Sequence, residues 1–212
     1  MESSGRAPFK CKAVQRIWSK EKGRHRPEKK LEIHESVGKS EGVNPESLRF
    51  FNPFANVRKT ANKLPHWQQP GATYFITFRL ADAVPMALRL QWTEEKRAWL
   101  SQHPKPWSAV VEAEYHERFS ARMDAWLDAG HGACVLRDTS CRNPVEATLQ
   151  HLDGSQYWHH GWVIMPNHVH ALTSLNESAT LEDAVGAWKS VSARDINRPL
   201  KRKGTLWQED FF

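Results

Sequence analysis

The chain has 212 residues, enough for one domain with an extension. Its 40% hydrophobic content can fill a core, and no apolar run approaches the roughly 20 residues of a membrane span, so a helical membrane protein is excluded and a cytoplasmic location expected. The formal charge of +6 is uneven: residues 1–30 hold ten Lys or Arg and three Glu, whereas the other 182 hold 20 basic and 21 acidic residues.

A basic arm over 1–46 is expected to be largely disordered. Its charge can add salt-sensitive attraction to phosphates, or serve only as a solubilising tail. It lacks the apolar stretch of a secretory signal. A folded domain is expected over 47–212. Residues 47–70 form a connector whose Phe50, Phe51, Phe54 and Trp67 are expected to pack on the domain surface. Residues 72–80 are rich in Tyr, Phe, Ile and Thr and read as a strand. Two helices follow as an insertion over about 85–130. In the first, Leu88, Trp92 and Trp99 share a face behind Pro85. In the second, over 108–129, Val111, Tyr115, Phe119, Met123 and Trp126 make a stripe that stops at Gly130.

Asn143-Pro144 reads as an N-cap followed by Pro at the first helical position, opening a helix to about Leu152. Strands are expected at 156–164 and 168–174. Thr180 then caps a helix with Leu181, Val185, Trp188 and Val191 inward, and Pro199 ends it. A turn at Lys201-Arg202-Lys203-Gly204 leads into an extended Leu206-Trp207-Gln208. The order of strands and helices gives an α+β domain with a small antiparallel sheet. The three cysteines, Cys11, Cys134 and Cys141, match no zinc spacing or disulfide framework and read as ordinary thiols.

The most informative stretch is Ile164-Met165-Pro166-Asn167-His168-Val169-His170. Pro166-Asn167 marks a turn between two strand-like runs. In a strand, residues i and i+2 point to one face, so His168 and His170 project together and Val169 faces away. Two imidazoles side by side can ligate a divalent metal. In a chain with 11 His such a pair can also arise by chance and only hydrogen-bond.

The heptad resembles the metal motif of the HUH single-tyrosine transposases. More closely, the chain resembles the REP-associated tyrosine transposases, relatives of small insertion-sequence enzymes. Leu64-Pro65-His66-Trp67-Gln68, Ala72 to Leu80, the His-x-His hairpin, Trp188-Lys189-Ser190, Ile196-Asn197 and Leu206-Trp207-Gln208 carry the likeness, in the family's order. The resemblance implies a ferredoxin-like sheet with packed helices. It also implies a single-stranded hairpin DNA partner and a Mg²⁺ or Mn²⁺ ion held by His168 and His170. In this family a tyrosine attacks a phosphodiester, leaving a 5′-phosphotyrosine and a free 3′-hydroxyl.

The family's nucleophilic tyrosine lies on a helix after the Trp-Gln segment, and this sequence stops at Phe212 before that helix. Tyr74, Tyr115 and Tyr157 match other positions and read as packing residues. The expectation is therefore an incomplete copy that binds DNA without cutting it alone. It would act as a homodimer or with a complementing full-length transposase. Lys189, Arg194, Lys201, Arg202 and Lys203 are candidates for phosphate contacts, or equally a solvated helix face and turn. Two other readings stay open. One is a non-catalytic DNA-binding regulator at repeated palindromes. The other is a metal-dependent hydrolase, for which His151, His159 and His160 offer no clear third ligand.

Overall fold

The computed structural model describes residues 36–38, 48–52, 54, 57–59 and 67–211. The expected disorder of the arm lies outside these residues, strand β1 (Ser36–Gly38) excepted. Among the described residues, Met86–Ala129 form one compact unit, and those of 34–85 and 130–211 form the other.

The second unit is built on an antiparallel sheet of order β1-β5-β6-β4, with β4 at Thr73–Arg79, β5 at Tyr157–Ile164 and β6 at His168–Leu175. A two-stranded ribbon pairs β2 (Arg58–Lys59) with β3 (Trp67–Gln68). Beyond β4, Leu80 bridges Trp207, and Gln208 donates its backbone N–H to the Arg79 carbonyl at 2.9 Å. With the helices described below, the chain runs strand, helix, strand, strand, helix, extended segment. This is the ferredoxin-like α+β plan, its last strand reduced to a bridge.

One sheet face carries the core. Val169, Ala171, Thr173 and Leu175 of β6 alternate onto it and are all buried. Two helices cover it: α4 (Thr139–Gln150) and α5 (Leu181–Asn197). Trp188 of α5 is the keystone. Its ring lies 6.2 Å from Phe78 of β4, and 5.1 Å from both Tyr157 and His159 of β5. Aromatic contacts of this kind add to the burial of large apolar area.

Helix α5 starts as expected. The Thr180 side chain accepts the Asp183 N–H at 3.1 Å. A second restraint comes from far away in sequence: Gln68 accepts the Leu181 N–H at 3.2 Å and donates to the Ala179 carbonyl at 2.7 Å. The expected inward set needs one change. Val191 is only half-buried, and Ser192 sinks fully instead. The Ser192 hydroxyl donates to the Trp188 carbonyl at 2.5 Å and accepts from the Trp207 indole at 3.0 Å, so a polar residue is satisfied where the pattern called for an apolar one.

Helix α4 corrects another expectation. It begins at Thr139, five residues before Pro144, which lies inside it. Asp138 is the N-cap, in extended backbone, and its carboxylate accepts the Ser140 N–H at 2.8 Å. Pro144 has no N–H for the Ser140 carbonyl, but Ser140 is exposed and water can reach it. The cap thus outweighs the proline signal.

The unit Met86–Ala129 holds α1 (Met86–Gln102), α2 (Ala109–Tyr115) and α3 (Ala121–Asp128), the last two joined by a π-helical turn at His116–Ser120. The π turn explains the stripe. Steps of four residues drift around an α-helix, and a wider turn takes that drift back. Phe119, Met123 and Leu127 are buried, so Leu127 replaces the expected Trp126. Trp92, Trp99, Trp107 and Tyr115 pack with Phe119 into an aromatic cluster. Gly130, at φ +68°, ends the run as expected. Phe50 and Phe54 did not pack down: they are 64% and 96% exposed. The Trp67 side chain lies outside the described residues. Cys134 and Cys141 are buried free thiols, each pushed above its ordinary range by burial.

Two predictions follow from this packing. Asp138→Ala should lower the urea midpoint clearly, and Asn143→Ala should lower it less; equal losses would return the cap to Asn143. Acid should also weaken the fold. Burial pushes His159 down to about 4 from an ordinary 6.5, so below 6.5 the unfolded chain takes up the proton first. The stability held by neutral His159 is full above pH 6.5 and is lost as pH falls toward 4, by up to about 3 kcal/mol. Urea midpoints at pH 8 and pH 5 check this, with a flat profile as the contrary result.

Candidate metal centre

The loop Met165-Pro166-Asn167 joins β5 to β6 and sets the pair. It is anchored on both sides: Asn167 accepts the Leu80 N–H at 2.9 Å, and Pro166 accepts the Leu136 N–H at 3.2 Å. His168 and His170 follow on β6, opposite the helix-covered face. Their partners across the sheet are Arg79 and Thr77 of β4. The two Nε2 atoms are 3.0 Å apart, with the rings edge to face. Each outer nitrogen has its own partner. His168 Nδ1 lies 2.7 Å from Asn167 Oδ1, and His170 Nδ1 lies 2.8 Å from Thr77 Oγ1. Phe75 stacks on His170 at 5.2 Å.

Burial decides the charge state. His168 and His170 are 1% and 4% exposed. Burial pushes the His168 imidazole well below its ordinary range, with His170 and the Arg79 guanidinium adding to it. Burial alone brings His170 down to about 4. Both rings are therefore neutral near pH 7, the form that ligates metals.

The donor set suits a divalent ion in part. His168 and His170 would supply two nitrogen ligands to a divalent ion through their facing Nε2 atoms. Imidazole pairs favour Mn²⁺ over Mg²⁺. No group of three or more His, Cys, Asp or Glu converges among the described residues, so the pair is a half-site. His151 is exposed. His159 points into the core, bonded to the Leu149 carbonyl at 3.1 Å and the Thr173 hydroxyl at 2.7 Å. His160 bonds the Ser174 hydroxyl at 2.7 Å, and Ser174 lies four residues, about 13 Å, along β6 from His170.

Three residues of this centre carried no mark as site residues in the sequence: Thr77, Arg79 and Asn167. Asn167 reads as a turn residue within the heptad that resembles the metal motif, with no role of its own. Thr77 and Arg79 depend on the pairing of β4 with β6, which no local pattern announces. Arg79 is buried at 6% exposure, with its Nε–H donated to Gln208 Oε1 at 2.9 Å. Its cationic charge beside His168 suits an anionic ligand such as a phosphodiester.

The basic candidates fall elsewhere. Lys189 is half-buried and donates its Nζ–H to the Glu209 carbonyl at 2.6 Å, which ties α5 to the C-terminal segment. Arg194 is exposed and pairs with Asp195 at 2.9 Å. Lys201 and Lys203 are exposed and Arg202 half-buried, in the turn after α5. Lys189 and Arg194 are five residues apart on the helix, so they lie on different faces. Tyr74 and Tyr157 take the helix-covered side of the sheet, and Tyr115 belongs to the aromatic cluster of α1 and α2.

Comparison with known proteins finds a likeness over a stretch that includes both histidines. Residues 145–212 match the family described as "Transposase IS200 like". The span takes in the second half of α4, the β5–β6 hairpin with both histidines, α5 and the Trp207 segment; β4 lies outside it. The matched span is 68 residues, less than half of the chain, and the likeness is to that stretch. No curated protein and no solved structure matches the chain. No helix of the described residues is long and apolar enough to cross a membrane.

The closed state of the pair can be read chemically. With diethylpyrocarbonate, His168 and His170 should react at least tenfold more slowly than exposed His151, followed by mass spectrometry; equal rates would mean an open site.

Proposed function

We propose that this chain handles single-stranded DNA in transposition, binding hairpins or palindromes and presenting their backbone to a metal half-site at His168 and His170. The supporting observation is the convergence of two neutral imidazoles at 3.0 Å inside the span that matches a transposase family. A bound Mg²⁺ or Mn²⁺ would polarise a phosphodiester and offset its developing charge. The chain's own residues do the rest: Asn167 and Thr77 orient the rings, and Arg79 adds positive charge beside His168. Arg194, Lys201, Arg202 and Lys203 are proposed as outlying phosphate contacts, whereas Lys189 is already engaged with Glu209.

The three tyrosines of this sequence are engaged in packing and hydrogen bonds. Tyr74 donates its hydroxyl to the Gln69 carbonyl and accepts the Gln69 N–H, at 3.0 and 2.6 Å. Tyr157 is packed on Trp188, and Tyr115 on Trp107. None of these three is proposed as the nucleophile. The likeness to REP-associated enzymes makes repeated palindromes the probe of choice.

A second reading has its own support. The burial of the pair favours a non-catalytic regulator that sits on palindromes and leaves His168 and His170 unused. A hydrolase is disfavoured by the lack of a third convergent ligand among the described residues.

Mobility shifts with a palindromic hairpin oligonucleotide, with and without Mn²⁺, separate these. The proposal expects hairpin binding in preference to duplex of equal length, strengthened by Mn²⁺, and no SDS-stable adduct. His168→Ala with His170→Ala should remove the Mn²⁺ gain, about tenfold. Binding untouched by these substitutions favours the regulator. A strong covalent adduct would refute the reading of Tyr74, Tyr115 and Tyr157 as packing residues.

A further inference from the structure

The hydrogen bonds around the pair fix a direction. Asn167 donates its Nδ2–H to the His131 carbonyl at 3.2 Å, which turns its Oδ1 toward His168. An amide oxygen only accepts, so His168 carries its proton on Nδ1 and leaves Nε2 bare. Two bare nitrogens at 3.0 Å would repel, so His170 must carry its proton on Nε2 and donate it to His168. His170 Nδ1 is then bare and accepts from the Thr77 hydroxyl at 2.8 Å. The chain runs one way, from Thr77 through His170, His168 and Asn167 to the His131 carbonyl. His168 is thus already set to ligate through Nε2, and His170 is not.

We infer that Thr77 is a positioning residue whose hydroxyl sets the tautomer of His170. It donates to Nδ1 in the metal-free chain and accepts from Nδ1–H when both Nε2 atoms turn to a divalent cation. The inference rests on the metal reading proposed above. A hydroxyl suits the task because it can donate or accept at one place. The proton count balances: one proton leaves His170 Nε2 to solvent and one arrives from solvent at Nδ1. The ring stays neutral, and Thr77 keeps its own proton, swung aside. Asn167 cannot reverse in this way, since its amide is held by His131.

Two measurements on the whole chain test this. Long-range ¹H–¹⁵N imidazole spectra should show His168 as Nδ1–H and His170 as Nε2–H without metal. With Zn²⁺ as a diamagnetic probe, His170 should change to Nδ1–H and His168 should not. Mn²⁺ titration by calorimetry should show affinity falling about 10- to 100-fold in Thr77→Val and recovering in Thr77→Ser. Wild-type protein that binds neither ion overturns the metal reading and this inference with it. Metal binding with His170 already Nδ1–H in the metal-free chain overturns the inference alone, as does Thr77→Val with wild-type affinity. The spectra need no variant, so a poorly folding Thr77→Val leaves the test intact.

Discussion

The two-faced character of β6 governs this molecule. Its odd-numbered residues from Val169 to Leu175 are pressed onto the helices, and that face has no room for another register. A slip of one residue would carry Val169 to the outer face and drive the imidazoles into the core around Trp188. Apolar burial on one side thereby fixes polar chemistry on the other. The site is held by a core it does not touch.

Pairing with β4 adds the second constraint. It places Thr77 opposite His170 and Arg79 opposite His168. Burying two imidazoles costs free energy unless their nitrogens find partners. Here every ring nitrogen of the pair has one, within 2.7 to 3.0 Å. The polar chain is therefore tolerated inside the protein and gives each ring a defined orientation.

The C-terminal segment shows how much of the fold is shared labour. Trp207 packs on Phe78 at 4.9 Å and donates its indole N–H to Ser192, while Gln208 holds Arg79. Lys189 reaches Glu209 from α5. One short stretch thus joins the core face, through Trp207, to the side chain beside the histidines, through Gln208. Residues that looked like family landmarks along the chain act together here as braces.

Much of this was legible in the sequence. Alternation gave β4, β5 and β6 within a residue of their observed ends, and the i, i+2 rule put His168 and His170 on one face. Thr180 announced α5 because a cap is a local hydrogen bond. Legibility failed where the deciding contact was not local. Asp138 prevailed over Asn143-Pro144 as the start of α4, Ser192 went inward because Trp207 needed an acceptor, and the π turn brought in Leu127 in place of Trp126. By itself the sequence determined the α+β plan and the histidine pair, since both follow from periodicities a few residues long. Only the tertiary structure decided which residues face the pair, which nitrogens are left bare and how deeply the site is closed, because strand register and burial depend on partners as far as 129 residues apart.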